Sequence, residues 1–293
     1  MVILINSLKY YQEVYPIMKP NTLLTHALDL IARASLGMNN IIQKCNVNSF
    51  VEKSEFLPFL QPIFNAGGDT VVGCEVLLRI KTDEGHKSPV AYIKSLEKSE
   101  YINNITGQLM DNVAQYFLHK DIFLPEGFYF SFNIYAPQLS SPTLVSDVLS
   151  FNDALTGKAR LVLEIVEGGT LELDKYTVEI MEELMSKGIS FAIDDFGAGT
   201  SSLKYIEHAS FSTIKIDREL TLSAGNTLVY QKVVDAIVAL SSQLGLSVTA
   251  EGVESRTQLE LLNKAGVNSM QGYYLAKPVG MTDFSKTYLH ENE

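Results

Sequence analysis

The sequence predicts an α/β fold closed into a barrel of eight strands, and three observations carry that expectation. From residue 56 onward, apolar β-rich runs alternate with amphipathic helical runs in units of roughly 20–35 residues, the rhythm of parallel strands under covering helices. The first two runs break the rhythm, because only Asn65-Ala66-Gly67-Gly68-Asp69 separates them, and they read as an antiparallel hairpin. Most of the apolar runs then stop at an ionisable or amide side chain: Glu75, Asn133, Glu164, Asp194-Asp195, Lys215, Glu251 and Gln271. An open doubly wound sheet gathers ligands from two or three strands at its switch point, whereas a barrel gathers a loop from every strand at one end. Polar groups at nearly every strand end therefore favour the closed form.

Taken in order, residues 1–55 stand apart as a short helical extension. Five basic residues against four acidic give this segment a charge of +1, while the whole chain carries −11. Pro16 and Pro20 break its first part, and Leu24, Ala27, Leu28, Ile31 and Ala32 then follow helical spacing. The barrel domain is expected over 56–293, opening with strands Phe56–Phe64 and Thr70–Ile80 and helices Pro89–Lys98 and Asn104–Lys120. Later strands centre near Tyr129, Leu163, Phe191, Ile214, Val248 and Met270. Between them the spacing predicts helices at Leu144–Leu155, Tyr176–Lys187, Ser202–Glu207, Thr227–Leu244 and Arg256–Lys264. Gly188, Gly245 and Gly266 fall just past three of these, where a left-handed C-cap wants glycine.

Composition narrows the function. With 293 residues, 46% hydrophobic and 19% charged, the chain can bury a substantial core. A net charge of −11 repels nucleic acid and anionic lipid, although bound cations can reverse the sign locally. Cys45 and Cys74 fit no zinc spacing, and Cys74 reads as a buried small residue. The opening Met1-Val2-Ile3-Leu4-Ile5 is too short for a signal-peptide core and no run reaches membrane-spanning length, so a cytoplasmic protein without membrane contact is expected.

The strand ends carry the chemistry. Alternation puts Glu75 and Leu77 on one face of their strand and Cys74, Val76 and Leu78 on the other. A carboxylate flanked by Val71-Val72 and Val76-Leu77-Leu78 needs a partner or a metal. Asp194-Asp195 after Ser190-Phe191-Ala192-Ile193 is the sharpest pair, since adjacent carboxylates do not both ionise cheaply without a cation between them. One of them could instead cap the next helix, but hardly both. Lys215 in Thr213-Ile214-Lys215-Ile216-Asp217 must be buried or aimed at a site, where an ammonium can hold a water or a phosphate oxygen; a salt bridge to Asp217 is the bland alternative. No histidine has ligand spacing and no serine or cysteine has a histidine partner, which leaves a hard-cation site of carboxylates and amides. Asp195-Phe196-Gly197 spells a kinase motif, but no nucleotide loop or catalytic loop of that class accompanies it.

In this order, Gln61-Pro62-Ile63, Glu75-Val76-Leu77-Leu78-Arg79, Ser88-Pro89, Asn133, Glu164 with Glu167, Asp194-Asp195-Phe196-Gly197, Lys215-Ile216-Asp217, Ala250-Glu251-Gly252-Val253-Glu254, Gln271-Gly272-Tyr273 and Lys277-Pro278 together resemble the EAL-domain family of cyclic di-GMP phosphodiesterases. The likeness runs from about Phe59 to Pro278. It implies a TIM-like (β/α)8 barrel with an antiparallel first strand, and two Mg²⁺ or Mn²⁺ ions held by Glu75, Asn133, Glu164, Asp194, Asp195 and Glu251. It implies that Lys215 holds and helps activate the attacking water, that Gln271 orients the site, and that Glu167 anchors the loop beginning at Asp194. Gln61, Leu77, Arg79 and Pro278 would contact the dinucleotide.

The implied activity is hydrolysis of cyclic di-GMP to linear 5′-pGpG by a homodimer, in bacterial signalling that controls motility and biofilm. The alternative is an EAL protein of weak catalysis that acts as a cyclic di-GMP receptor or partner-binding regulator. A third reading makes residues 1–55 a DNA-binding module, and the missing basic recognition helix argues against it. The chain departs from the family pattern at Val76, Tyr135, Ala198 and Thr200, the last two in the loop expected to couple the metals to dimerisation.

Overall fold

In the computed structural model, which describes residues 50–120, 122–166, 174–197 and 211–289, the first strand closes a ring. β1 (Phe56–Asn65) pairs antiparallel with β2 (Val71–Thr82) through the turn Asn65–Thr70, closed by an Asn65 N–H bond of 2.8 Å to the Thr70 carbonyl. β3 (Gly85–Lys87) is a short antiparallel addition to β2. From β2 the sheet continues in parallel through β4 (Tyr129–Tyr135), β5 (Arg160–Val166), β6 (Ser190–Phe196), β7 (Phe211–Ile216), β10 (Ser247–Ala250) and β11 (Ser269–Met270). β11 then meets β1 antiparallel, Phe64 opposite Met270, and the eight-stranded barrel is shut. Both features of the expected barrel, closure and the reversed first strand, are therefore present.

Along each parallel strand the outward residues are apolar and sealed under helices. Phe130, Phe132, Leu163, Phe191, Ile214 and Val248 are all at most 1% exposed. They share one core with α2 (Tyr101–His119), α3 (Pro142–Ala154), α4 (Lys175–Ser186), α5 (Gln231–Leu244), α6 (Arg256–Ala265) and α7 (Met281–Tyr288), while α1 (Ile93–Glu97) buries its Leu96 in a smaller one. Phe117, Phe130, Phe132 and Phe151 meet edge to face or tilted at centroid distances of 4.9–6.0 Å. Burying each such ring contributes about 1.5–3 kcal/mol before cavity effects. The main apolar core thus lies between strands and helices, which leaves the barrel interior free for polar groups.

Local chemistry sets the helix ends. Ser141, Asp174 and Ser255 accept the bonds that open α3, α4 and α6, with Thr177 N–H donating to Asp174 Oδ1 at 2.7 Å. Gly245 and Gly266 close α5 and α6 in left-handed conformation, φ 72° and 91°, as the sequence requires. Two predicted boundaries move. The helix expected from Pro89 is regular only over α1, preceded by turns onto the Pro89 carbonyl. The helix expected from Thr227 starts at Gln231, because Thr227–Leu228 (β9) pairs with Ser223–Ala224 (β8) around a turn whose Gly225 has φ 59°. The C-terminal helix α7 and the short β12 (Val279–Gly280), which adds to β1 at Phe59 and Leu60, had no periodic signal long enough to read. The predicted helix Ser202–Glu207 lies outside the described residues, as do residues 1–49. Phe50 and Val51 pack on a second small core of Phe56, Ile80, Leu96, Ile102 and Ile105.

Candidate active site at the strand ends

Strand alternation aims Glu75, Asn133, Glu164, Asp194 and Lys215 into one mouth of the barrel, and Glu251 and Gln271 follow directly on β10 and β11. Lys215 is the hub. Its ammonium, 2% exposed, lies 2.6 Å from Glu164 Oε2, 2.6 Å from Glu251 Oε1, and 3.4 Å from both Glu75 Oε2 and Asp194 Oδ1. The bland alternative of a pair with Asp217 is not what forms; Asp217 lies past the strand end, against Asp195. Glu75 is further held by Asn133 Nδ2 at 2.5 Å and Gln271 Nε2 at 2.8 Å, both donating.

Asp194 and Asp195 are consecutive, so a regular strand would point them to opposite faces. The β6–β7 register shifts between Ile193 and Phe196, which pair with Ile214 and Ile216, so β6 carries one extra residue there. That bulge turns both carboxylates toward the mouth. Asp195 has φ 51°, the one positive value among the described non-glycine residues, a conformation aspartate tolerates better than most. One oxygen each from Asp194, Asp195 and Glu251 lies within 4.8 Å of the others.

The charges report how crowded this is. Burial raises Glu164 well above the usual carboxylate range, with Glu75 and Asp194 adding to it against the pull of Lys215. Burial also raises Asp194, and lifts Glu251 to about 8 despite Lys215. Asp195 rises to about 6 through burial and the neighbouring Asp194 and Asp217. Glu75 alone ends below its ordinary value: burial raises it, but Lys215 and the bonds from Asn133 and Gln271 prevail. Burial opposes the charge on Lys215, yet Asp194, Glu164, Glu251 and Glu75 hold it well above the ordinary lysine value. One ammonium cannot neutralise this many carboxylates. Asp194 Oδ1 and Gln271 Oε1 are moreover buried without a hydrogen-bond partner. An orphaned amide oxygen, and a carboxylate oxygen held only by a 3.4 Å ion pair, beside a cluster of raised carboxylates are a donor set that fits hard divalent cations.

The residues expected to meet substrate surround this centre. Gln61 stands opposite Glu75 in the β1–β2 register and donates to the Ala276 carbonyl at 3.3 Å; Pro278 follows two residues on, just before β12. Leu77 and Arg79 continue β2 outward and line a pocket of about 310 Å³ with Pro89, Ile105 and Asn133. Arg79 is steadied by a 2.8 Å bond to the Leu78 carbonyl and sits 6.0 Å from the Phe59 ring centroid. Gly272 lets the chain pass Val253, where a Cβ would lie 2.2 Å from backbone N and O, and so sets Gln271 inward. Glu167, Ala198 and Thr200 lie outside the described residues. Asp217, offered by the sequence as a salt-bridge partner of Lys215, stands against Asp195 instead.

The sequence profile described as "EAL domain" matches residues 44–278. Among curated relatives, the probable cyclic di-GMP phosphodiesterase PdeG of Escherichia coli K12 is 36% identical over 241 residues, covering 82% of this chain and 48% of PdeG. The cyclic di-GMP phosphodiesterase PdeL of the same organism is 32% identical over 243 residues, 82% of this chain and 67% of PdeL. The chain thus spans about half the length of PdeG and two thirds of PdeL. Of solved structures, the PaMucR phosphodiesterase in complex with c-di-GMP superposes with TM-score 0.67 at 30% identity, over 78% of this chain and 99% of that one. Bacillus subtilis YkuI, solved with substrate c-di-GMP and calcium, gives 0.64 at 28% identity over 77% of this chain and 55% of that one. A barrel with a reversed first strand, a carboxylate mouth around one lysine, and a profile match across most of its length have one common reading: the chain belongs to the EAL domain family.

Proposed function

We propose that this chain is a two-cation phosphodiesterase that hydrolyses cyclic di-GMP to linear 5′-pGpG. The observation that carries the reading is the mouth itself, where Glu75, Glu164, Asp194, Asp195 and Glu251 converge around a single ammonium. The names of the relatives, probable cyclic di-GMP phosphodiesterase for PdeG and cyclic di-GMP phosphodiesterase for PdeL, and the nucleotide in the PaMucR complex support the choice of substrate.

Glu75, Asn133, Glu164, Asp194, Asp195 and Glu251 would hold two Mg²⁺ or Mn²⁺ ions, the oxygen-loving cations this donor set suits. When bound, such ions supply Lewis-acid activation of water and neutralise charge on the phosphoryl oxygens. The chain's own groups do the rest. Arg79 takes a phosphate oxygen, its planar fork suited to that geometry. Gln61, Leu77 and Pro278 border the dinucleotide, and the mostly apolar pocket beside Arg79, about 310 Å³, has room for a purine base. Lys215, kept protonated by its four carboxylates, acts as a donor that orients the attacking water and not as a base. Glu251, 2.6 Å from that ammonium, stays with the residues that would hold the cations. Water oxygen bonds to phosphorus as the bond from phosphorus to the 3′-oxygen breaks; the water gives one proton to bulk solvent and the departing oxygen takes one from it. Glu167 anchoring the loop after Asp194, a homodimer and a cytoplasmic setting belong to the same proposal.

Purified protein given cyclic di-GMP with Mg²⁺ or Mn²⁺ should form pGpG, resolved by liquid chromatography, and Glu75→Ala should lower the rate at least about a thousandfold. Binding of the nucleotide without any pGpG would replace the enzyme by a receptor.

A further inference from the structure

The outer wall of the pocket beside Arg79 is built from little chain. On the barrel side the pocket is bounded by β2 and the end of β4, with Leu77 and Asn133, and Ile102 and Ile105 of α2 form its back. The outer wall is α1 and the turn before it, through Pro89, Val90, Ile93 and Glu97. α1 has only five residues, and Tyr92 at its N-cap makes no side-chain cap bond. A helix of that length is not stable on its own in water, so tertiary packing must hold it.

Part of that packing is Leu96, fully buried in the small core of Phe56, Ile80, Ile102 and Ile105. Another part is the Tyr92 ring, stacked on that of Phe50 with centroids 4.0 Å apart and planes 13° from parallel. Phe50 belongs to the helical residues 50–53 just before β1 and is tied to the barrel in turn. Its ring meets Phe56 edge to face at 6.1 Å, and Val51 beside it packs on the same small core. Tyr92 is the junction of the wall. The N–H groups of Tyr92 and Ile93 donate to the Pro89 carbonyl at 2.7 and 2.9 Å, and the Tyr92 carbonyl accepts from Ser95 and Leu96, both at 2.9 Å. A ring fixed at this residue therefore fixes both the turn and the helix. Neither Phe50 nor Tyr92 lines the pocket, so whatever the stack contributes to binding passes through α1 and its turn.

We propose that Phe50 and Tyr92 are positioning residues for the substrate: their stack clasps the outer wall of the pocket in the geometry that admits the dinucleotide. This rests on the reading of that pocket as a nucleotide site. Phe50→Ala should raise KM for cyclic di-GMP about three- to tenfold, the range that an aromatic pair contributes. Its kcat should stay at the wild-type value, because the wall bears on bound substrate and transition state alike. Tyr92→Ala should do the same, and the double variant should be no worse than the more impaired single one, as two halves of one contact behave. Phe50→Tyr keeps the stack and should keep the wild-type KM, whereas Phe50→Leu keeps the apolar bulk and should still raise it. Amide hydrogen exchange should quicken over residues 90–97 in Phe50→Ala and stay unchanged in β4 and β5. Folded Phe50→Ala and Tyr92→Ala proteins with wild-type KM overturn the proposal. So does a wild-type KM in Phe50→Leu, which would put bulk and not the stack at work. Should Phe50→Ala fail to fold, Tyr92→Ala decides by the same readouts, since that ring is 45% exposed. Wild type that binds cyclic di-GMP and hydrolyses nothing overturns only the enzymatic reading, and Kd from isothermal titration calorimetry then takes the place of KM. Wild type that binds no cyclic di-GMP removes the nucleotide site and the role of the wall with it.

Discussion

Replacing Glu251 by glutamine should stabilise the cation-free protein at alkaline pH and leave it unchanged in acid. Glu251 titrates at about 8 in the fold, against 4.5 for an ordinary glutamate. A group raised on folding binds its proton more tightly in the native state, so its contribution is fully present below about 4.5 and is lost as pH climbs through about 8. At about 1.4 kcal/mol per tenfold change in proton affinity, ionising this buried carboxyl costs the fold on the order of 5 kcal/mol by pH 9. The Glu251 side chain is 22% exposed, and relaxation around it brings the expected figure to about 2–5 kcal/mol. Glutamine has the shape of the protonated acid and still accepts a bond from Lys215. For a domain of this size that predicts a melting temperature about 5–15 °C above wild type at pH 9 in EDTA, and next to no difference at pH 4. Circular dichroism melts at the two pH values measure it. Adding Mn²⁺ should raise the wild type more than the variant and narrow the gap. A variant less stable than wild type at pH 9, or a shift that is the same at both pH values, would refute the argument from burial.

Lys215→Met removes the ammonium from the centre of the carboxylates and should destabilise the cation-free protein at pH 8 by about 3–5 kcal/mol in urea titrations, with Mn²⁺ recovering part of the loss. A neutral effect would mean that the carboxylates simply protonate together. Gly272→Ala forces a methyl group to 2.2 Å from the Val253 backbone, which cannot swing aside as a side chain would. It should cost at least about 2 kcal/mol and displace Gln271, read out as a lower turnover number even at temperatures where the protein is folded.

Much of the fold is legible because its signals are local. Period-two runs and their spacing locate all eight barrel strands, the five-residue gap after Phe64 marks the hairpin, and Gly245 and Gly266 mark helix ends by their need for positive φ. The misreadings are local as well. Thr227–Leu228 has helix-compatible neighbours, and what makes it a strand is a turn two residues earlier and its partner Ser223–Ala224. α7 and β12 are too short for periodicity to show, and they exist because β1 offers an edge and a surface to dock on.

For the site, the order of residues is enough to say which oxygen and nitrogen groups are present and that each stands at the end of a strand, since alternation and apolar flanks are properties of a few consecutive residues. How they meet depends on the closure of the barrel. Gln271 and Glu75 are 196 residues apart and 2.8 Å apart in space because β11 closes on β1. Asp194 and Asp195 share a face because of one bulge, and Lys215 turns to four carboxylates on four other strand ends instead of Asp217. Nothing in the period of a strand reports the register between strands, and it is the register around the closed ring that sets those distances.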